Sequence, residues 1–118
     1  MQYIAKKGLI IIMKAVMYNY NTWIKYRAEV ELIKEFEDIL VKSGFTIIDK
    51  IEHYFTKQGY TGLWLLAESH FAIHTFPEED KIYIEISSCV KEYYDNFIMF
   101  LETLPKNSNW FINWQKCF

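Results

Sequence analysis

The chain is poor in the residues that cross-link a protein or break up its backbone. Its 118 residues include only 2 Cys, 2 Pro and 4 Gly. Two cysteines, Cys89 and Cys117, cannot form a disulfide framework, so a reducing, cytoplasmic location is expected. The His and Cys residues do not cluster at the spacing that four-ligand zinc sites use, and no metal is expected. Few Gly and Pro leave little material for long irregular loops. Neither sign of charge dominates. Thirteen Lys and Arg against fifteen Asp and Glu give a formal net charge of −2, which offers nothing to nucleic acid. Long apolar runs are also missing. Leu9 to Met13 is too short to span a bilayer and lacks the small-residue cleavage site of a signal peptide, so no membrane partner is expected. Met13 stands beside Met1 as a second candidate start.

What is abundant is apolar and aromatic surface. Hydrophobic residues make up 52%, charged residues 24% and aromatics 19%, which excludes a disordered chain and leaves more ring surface than a small core needs. The length fits one domain spanning residues 1–118.

The pattern along the chain alternates between two periods. Gly8 to Tyr18 reads as a buried first strand, and Asn19 and Asn21 as a turn after it. From about Tyr26 to Ser43, Val30, Ile33, Phe36 and Leu40 recur at helical steps opposite Glu29, Lys34, Glu37 and Asp38. Gly44 is placed to end that helix. Phe45 to Phe55 reads as a strand and Lys57-Gln58-Gly59 as a turn. Gly62 to Ala67 is a continuous apolar run, as in a strand buried on both faces. Phe71 to Phe76 alternates, Pro77 to Asp80 is a turn, and Lys81 to Ser87 alternates with Ile82, Ile84 and Ile86 on one face. Glu92 to Leu104 returns to helical spacing until Pro105 stops it. The aromatic tail, with Trp110, Phe111 and Trp114, is expected to pack back on the body. This order predicts an α+β two-layer sandwich, a mostly antiparallel sheet with two helices on one face. The bare sheet face is then expected to be covered by a second copy, giving a homodimer in an αββα arrangement.

The densest polar segment is Glu68 to Glu78. In a strand, Ser69 and His74 have opposite parity, while His70, His74 and Glu78 share one. A metal reading of the latter three is weakened by Pro77 and by the missing fourth ligand. No Gly-x-Ser-x-Gly elbow supports a serine hydrolase. On spacing alone the segment reads as a turn between two strands with ordinary polar residues.

As a whole, Glu68-Ser69-His70-Phe71-Ala72-Ile73-His74-Thr75-Phe76-Pro77-Glu78 resembles the signature of prokaryotic S-adenosylmethionine decarboxylase proenzymes, Glu-Ser-His-Leu-x-Ile-His-Thr-Trp-Pro-Glu. His53 to Gly62 is similar to that family's His-x-Phe-x-Pro-x-Gly-Val-Ser-Gly, and Ser88-Cys89-Val90 falls at its Thr-Cys-Gly. All three blocks keep their spacing. They span a little under a third of the chain, and the order of helices and strands extends the likeness to most of it.

The resemblance implies a self-processing enzyme. Ser69 would attack the preceding carbonyl, the chain would be cut between Glu68 and Ser69, and Ser69 would become a pyruvoyl group. That group would form a Schiff base with the substrate amine and act as the electron sink for decarboxylation. Carried over by matching position, His74 is the processing base, Thr61 its hydroxyl support and Cys89 the proton donor to the product carbon. Phe55 would stack on the adenine of S-adenosylmethionine and Glu78 would bind its ribose, while His53 has a supporting place. The product would serve spermidine synthesis. The first strand departs from the family, which usually has Gly-x-His followed by an acid there. Residues 13–21 contain neither His nor acid. Lys57 replaces a Pro and Val90 a Gly. The alternatives are a pyruvoyl-dependent decarboxylase of arginine or ornithine, and an uncleaved, non-catalytic homologue that acts as a binding or regulatory partner.

Overall fold

The structure is a computed structural model and describes residues 3–6, 9–12, 15–25, 29–56, 59–103 and 111–112. Strands β1 (Tyr3–Lys6) and β2 (Leu9–Ile12) pair as a separate antiparallel hairpin. The main sheet contains β3 (Tyr18–Lys25), β4 (Ile47–Tyr54), β5 (Tyr60–Leu66), β6 (Ser69–Phe76), β7 (Lys81–Ser88) and β8 (Phe111–Ile112). Its order is β4-β5-β6-β7-β3-β8, and every pairing is antiparallel. Helices α1 (Glu29–Ser43) and α2 (Lys91–Glu102) complete the expected α+β arrangement.

The alternation of side chains decides which sheet face the helices cover. Trp64 and Leu66 of β5, Phe71 and Ile73 of β6, Ile82, Ile84 and Ile86 of β7 and Ile24 of β3 are all buried. Against them α1 buries Leu32, Ile33, Phe36, Ile39 and Leu40, spaced by three and four residues, and α2 buries Phe97 and Leu101. Phe71 joins the layers, its ring centroid lying 5.4 Å from Phe36, 5.6 Å from Trp64 and 5.6 Å from Phe97. Emptying this junction with Phe71→Ala is expected to cost about 3–5 kcal/mol in urea unfolding, whereas a loss below about 1 kcal/mol contradicts this packing. At the end of α1, Gly44 has φ 116, its N–H donates to Val41 O and the N–H of Phe45 donates to Leu40 O. This left-handed cap needs glycine and tucks Phe45 into the core.

Three sequence expectations change. The strand foreseen over Gly8 to Tyr18 is divided, with β2 ending at Ile12 and β3 beginning at Tyr18. Asn19 and Asn21 do not turn the chain. They pair with Ser87 and Glu85 inside β3 and point to the exposed face, where a polar side chain loses no hydration. The Gly62–Ala67 run is not buried on both faces. Leu63 is 48% and Leu65 53% exposed, because the helices cover only the face of Trp64 and Leu66. Helix α2 ends at Glu102, and residues 26–28 and 104, which the expected helices included, lie outside the described residues. In the tail, Phe111 and Ile112 pair with Lys25 and Ile24. Trp110 and Trp114 lie outside the described residues.

Candidate active site

The hairpin between β5 and β6 turns on Ala67 and Glu68. Glu68 adopts the left-handed φ of 60, which costs a non-glycine residue about 1 kcal/mol. Ser69 opens β6 on the helix-covered face and is paired in register with Ser88. Its Oγ is 2.7 Å from the Glu68 carbonyl oxygen and 2.8 Å from Ser88 Oγ. The same carbonyl oxygen accepts from Cys89 Sγ at 3.1 Å, and the Cys89 N–H reaches it at 3.5 Å. A nucleophile, the carbonyl before it and donors aimed at that carbonyl oxygen therefore meet in one place. This is the layout that stabilises negative charge developing on an attacked carbonyl.

Cys89 Sγ also lies 3.6 Å from Glu68 Oε1. Partial burial of the thiol, followed by the hydrogen bond and charge of Glu68, holds Cys89 above the ordinary thiol range. At neutral pH the sulfur therefore keeps its proton, as an acid must and a nucleophilic thiolate must not.

The second cluster lies at the other end of β6, around a cleft of about 280 Å³ lined by Phe55, Gly59, Tyr60, Thr61, His74, Thr75, Phe76 and Glu78. Thr61 and His74 are register partners across β5 and β6, and Thr61 Oγ1 shares a 3.1 Å hydrogen bond with His74 Nδ1. The methyl that distinguishes threonine from serine leaves this contact intact. Phe55, 47% exposed, packs edge-on against His53 with ring centroids 4.5 Å apart. Glu78 is exposed on the short 3₁₀ turn Pro77–Glu79. His70, His74 and Glu78 form no metal-type cluster among the described residues.

The structure thus brings Glu68, Ser69 and Cys89 together, and separately Phe55, Thr61, His74 and Glu78. It does not bring the two groups to each other. β6 is unbroken from Ser69 to Phe76, so Ser69 and His74 lie on opposite faces and about 17 Å apart along the strand. Ser88, which touches Ser69, was given no role by sequence reasoning. Its only signal was a hydroxyl kept where the resembling motif has Thr.

A two-layer α+β domain with a Glu-Ser hairpin, a neighbouring protonated Cys and a Thr-supported His defines the class. Residues 19–106 match the family described as S-adenosylmethionine decarboxylase, and the chain belongs to that family. It is similar to the S-adenosylmethionine decarboxylase proenzyme of Prochlorococcus marinus (strain MIT 9313), at 46% identity over 48 residues, 41% of this chain and 38% of the relative. The proenzyme of Geobacillus sp. (strain WCH70) is 40% identical over 62 residues, 52% of this chain and 50% of the relative. The matches therefore span half or less of these curated relatives. Among solved structures, the adenosylmethionine decarboxylase of Aquifex aeolicus vf5 superposes with TM-score 0.55 and 26% identity, over 86% of this chain and 91% of that one.

Proposed function

We infer that this chain is a proenzyme that cuts itself between Glu68 and Ser69 and then decarboxylates S-adenosylmethionine. The observation that carries this reading is the contact of Ser69 Oγ with the Glu68 carbonyl, whose oxygen also receives the Cys89 thiol. In the first step a bond forms from Ser69 Oγ to the Glu68 carbonyl carbon and the amide C–N bond breaks. The hydroxyl proton ends on the freed nitrogen, leaving an ester. A base then takes the Cα proton of residue 69 and the ester C–O bond breaks, releasing Glu68 as a carboxylate. The dehydroalanine left at position 69 tautomerises to an imine, and water hydrolyses it, releasing the nitrogen as ammonia and supplying the ketone oxygen of the pyruvoyl group. Once formed, that group supplies an electron sink for the charge left by departing CO2.

His74 is the base for the elimination, supplied by a second copy; its distance from Ser69 in the same chain supports that reading. The open sheet face carries Leu63 and Leu65, with Ile51 paired to Leu63, and is too apolar to stay bare. A two-fold pairing of these faces presents the same patch from both chains. It also sets the Ser69 end of one β6 toward the His74 end of the other. Each complete site then combines Glu68, Ser69 and Cys89 of one protomer with Phe55, Thr61, His74 and Glu78 of its partner. In that cleft Phe55 offers a ring face to adenine and Glu78 a pair of acceptors to the ribose hydroxyls. Cys89, held protonated, delivers its proton to the product carbon. The product serves as the aminopropyl donor for spermidine synthesis.

One departure from the family pattern sets a second substrate beside S-adenosylmethionine, a basic amino acid such as arginine or ornithine. β3 presents Asn19 and Asn21 on the exposed face, in the strand where the resembling family usually has His and an acid. CO2 release measured in parallel with S-adenosylmethionine, arginine and ornithine separates the two. The leading reading predicts turnover of S-adenosylmethionine and its loss in Cys89→Ala, which is still cut. Turnover confined to a basic amino acid replaces it and removes Glu78 from ribose binding.

A further inference from the structure

We propose that Ser88 is the positioning residue for the first step of self-cleavage, holding the Ser69 hydroxyl so that its lone pair is free for the Glu68 carbonyl carbon. The inference rests on the self-cleavage reading and assigns a task to a motif position that the resemblance left without one. Ser88 is fully buried, and its Oγ lies 2.8 Å from Ser69 Oγ. The Ser69 hydroxyl hydrogen has two acceptors within reach, the Glu68 carbonyl oxygen at 2.7 Å and Ser88 Oγ at 2.8 Å. Pointed at Glu68 O, the hydroxyl donates to the group it must attack. Pointed at Ser88, it turns its lone pairs back toward Glu68 and leaves the carbonyl oxygen to the thiol and N–H of Cys89.

Ser88 is itself held in place. The N–H of Val90 donates to Ser88 Oγ at 2.9 Å, and Ser88 Oγ lies 3.3 Å from Val90 O. A buried hydroxyl fixed by backbone on one side therefore faces the nucleophile on the other. In the acyl shift the Ser69 Oγ–C bond forms, the Glu68 C–N bond breaks and the proton reaches the freed nitrogen. Ser88 gains and loses no net proton. Cross-strand register places it there, since β6 and β7 pair Ser69 directly with Ser88. The neighbouring Cys89, one residue further on, is left free to address the carbonyl.

The test isolates the first step. In a His74→Ala background the ester accumulates, because its elimination lacks a base, and hydroxylamine cuts the chain at the ester. Adding Ser88→Ala is expected to slow the appearance of the hydroxylamine-sensitive species roughly 100-fold, the scale of a misplaced reacting group. Ser88→Thr, which keeps the hydroxyl, is expected to restore it. Near-UV circular dichroism and gel filtration confirm that each variant is folded. Ester formation at the His74→Ala rate in folded Ser88→Ala overturns the proposal. So does a folded Ser88→Thr that stays as slow as alanine, because the residue then acts only in local packing. Should Ser88→Ala fail to fold, threonine and cysteine at 88 carry the comparison: the proposal expects Thr to form ester well ahead of Cys, a weak hydrogen-bonding group, and equal rates overturn it. If His74→Ala alone yields no hydroxylamine-sensitive bond and the unsubstituted chain stays whole, the self-cleavage reading has failed and the proposal falls with it.

Discussion

Ser69→Ala produces a folded chain that stays whole through purification and prolonged incubation, with cleavage below detection by mass spectrometry. The size of the effect follows from the absence, among the described residues, of another nucleophile in the same position. The other hydroxyl at this corner, Ser88, is bonded to Ser69 Oγ and to the Val90 backbone rather than to Glu68. Cys89 does contact the Glu68 carbonyl oxygen, but as a donor whose thiol is held protonated. The fold should tolerate the change. Ser88 keeps the Val90 N–H when its contact to Ser69 is lost, so the cost is about 1 kcal/mol, the value of one hydrogen bond. Circular dichroism and intact mass check both halves of this expectation. Cleavage that persists in Ser69→Ala removes Ser69 from the mechanism.

The second large effect is a restoration. Ser69→Ala and His74→Ala should each fail to complete processing alone, yet their mixture, unfolded and refolded together, should give completed cleavage of the His74→Ala chain. In a mixed dimer one site joins Ser69 of the His74→Ala protomer to His74 of its partner and is complete, while the other has neither group. The geometry behind this is the opposite facing of Ser69 and His74 and their separation of about 17 Å on one unbroken strand. If both groups acted within one chain, no mixture would be cut, because every chain would lack one of them. Separately tagged chains and mass spectrometry show which polypeptide is cleaved. A mixture that remains uncut, with mixed dimers present, contradicts the shared site.

Much of the fold was legible because its periodicities are clean. Ile82, Ile84 and Ile86 alternate, Ile33, Phe36 and Leu40 recur at helical steps, and Gly44 sits where only a left-handed residue closes the helix. The errors came where one face of the sheet is open. Asn19 and Asn21 read as a turn because these residues favour turns, but on an exposed strand face they cost nothing. Gly62 to Ala67 read as doubly buried because an apolar run cannot say whether its second face meets a helix, water or another chain. The site residues were reached through the resemblance of three blocks. Sequence parity already separated Ser69 from His74, yet only the strand pairing shows that Phe55, Thr61, His74 and Glu78 form one cleft and Glu68, Ser69 and Cys89 another group. The Ser69 to Ser88 contact was not legible, since it depends on the register between β6 and β7 across a sequence separation of nineteen residues.

The mechanism depends on Ser69 attacking the carbonyl of its own peptide bond. The most direct measurement is the intact mass of the freshly expressed chain under denaturing conditions. Two polypeptides are predicted, residues 1–68 and residues 69–118, the second blocked to sequencing from its amino end and reactive toward carbonyl reagents. A single 14.3 kDa species that persists with time would contradict it and leave the chain a non-catalytic member of its family.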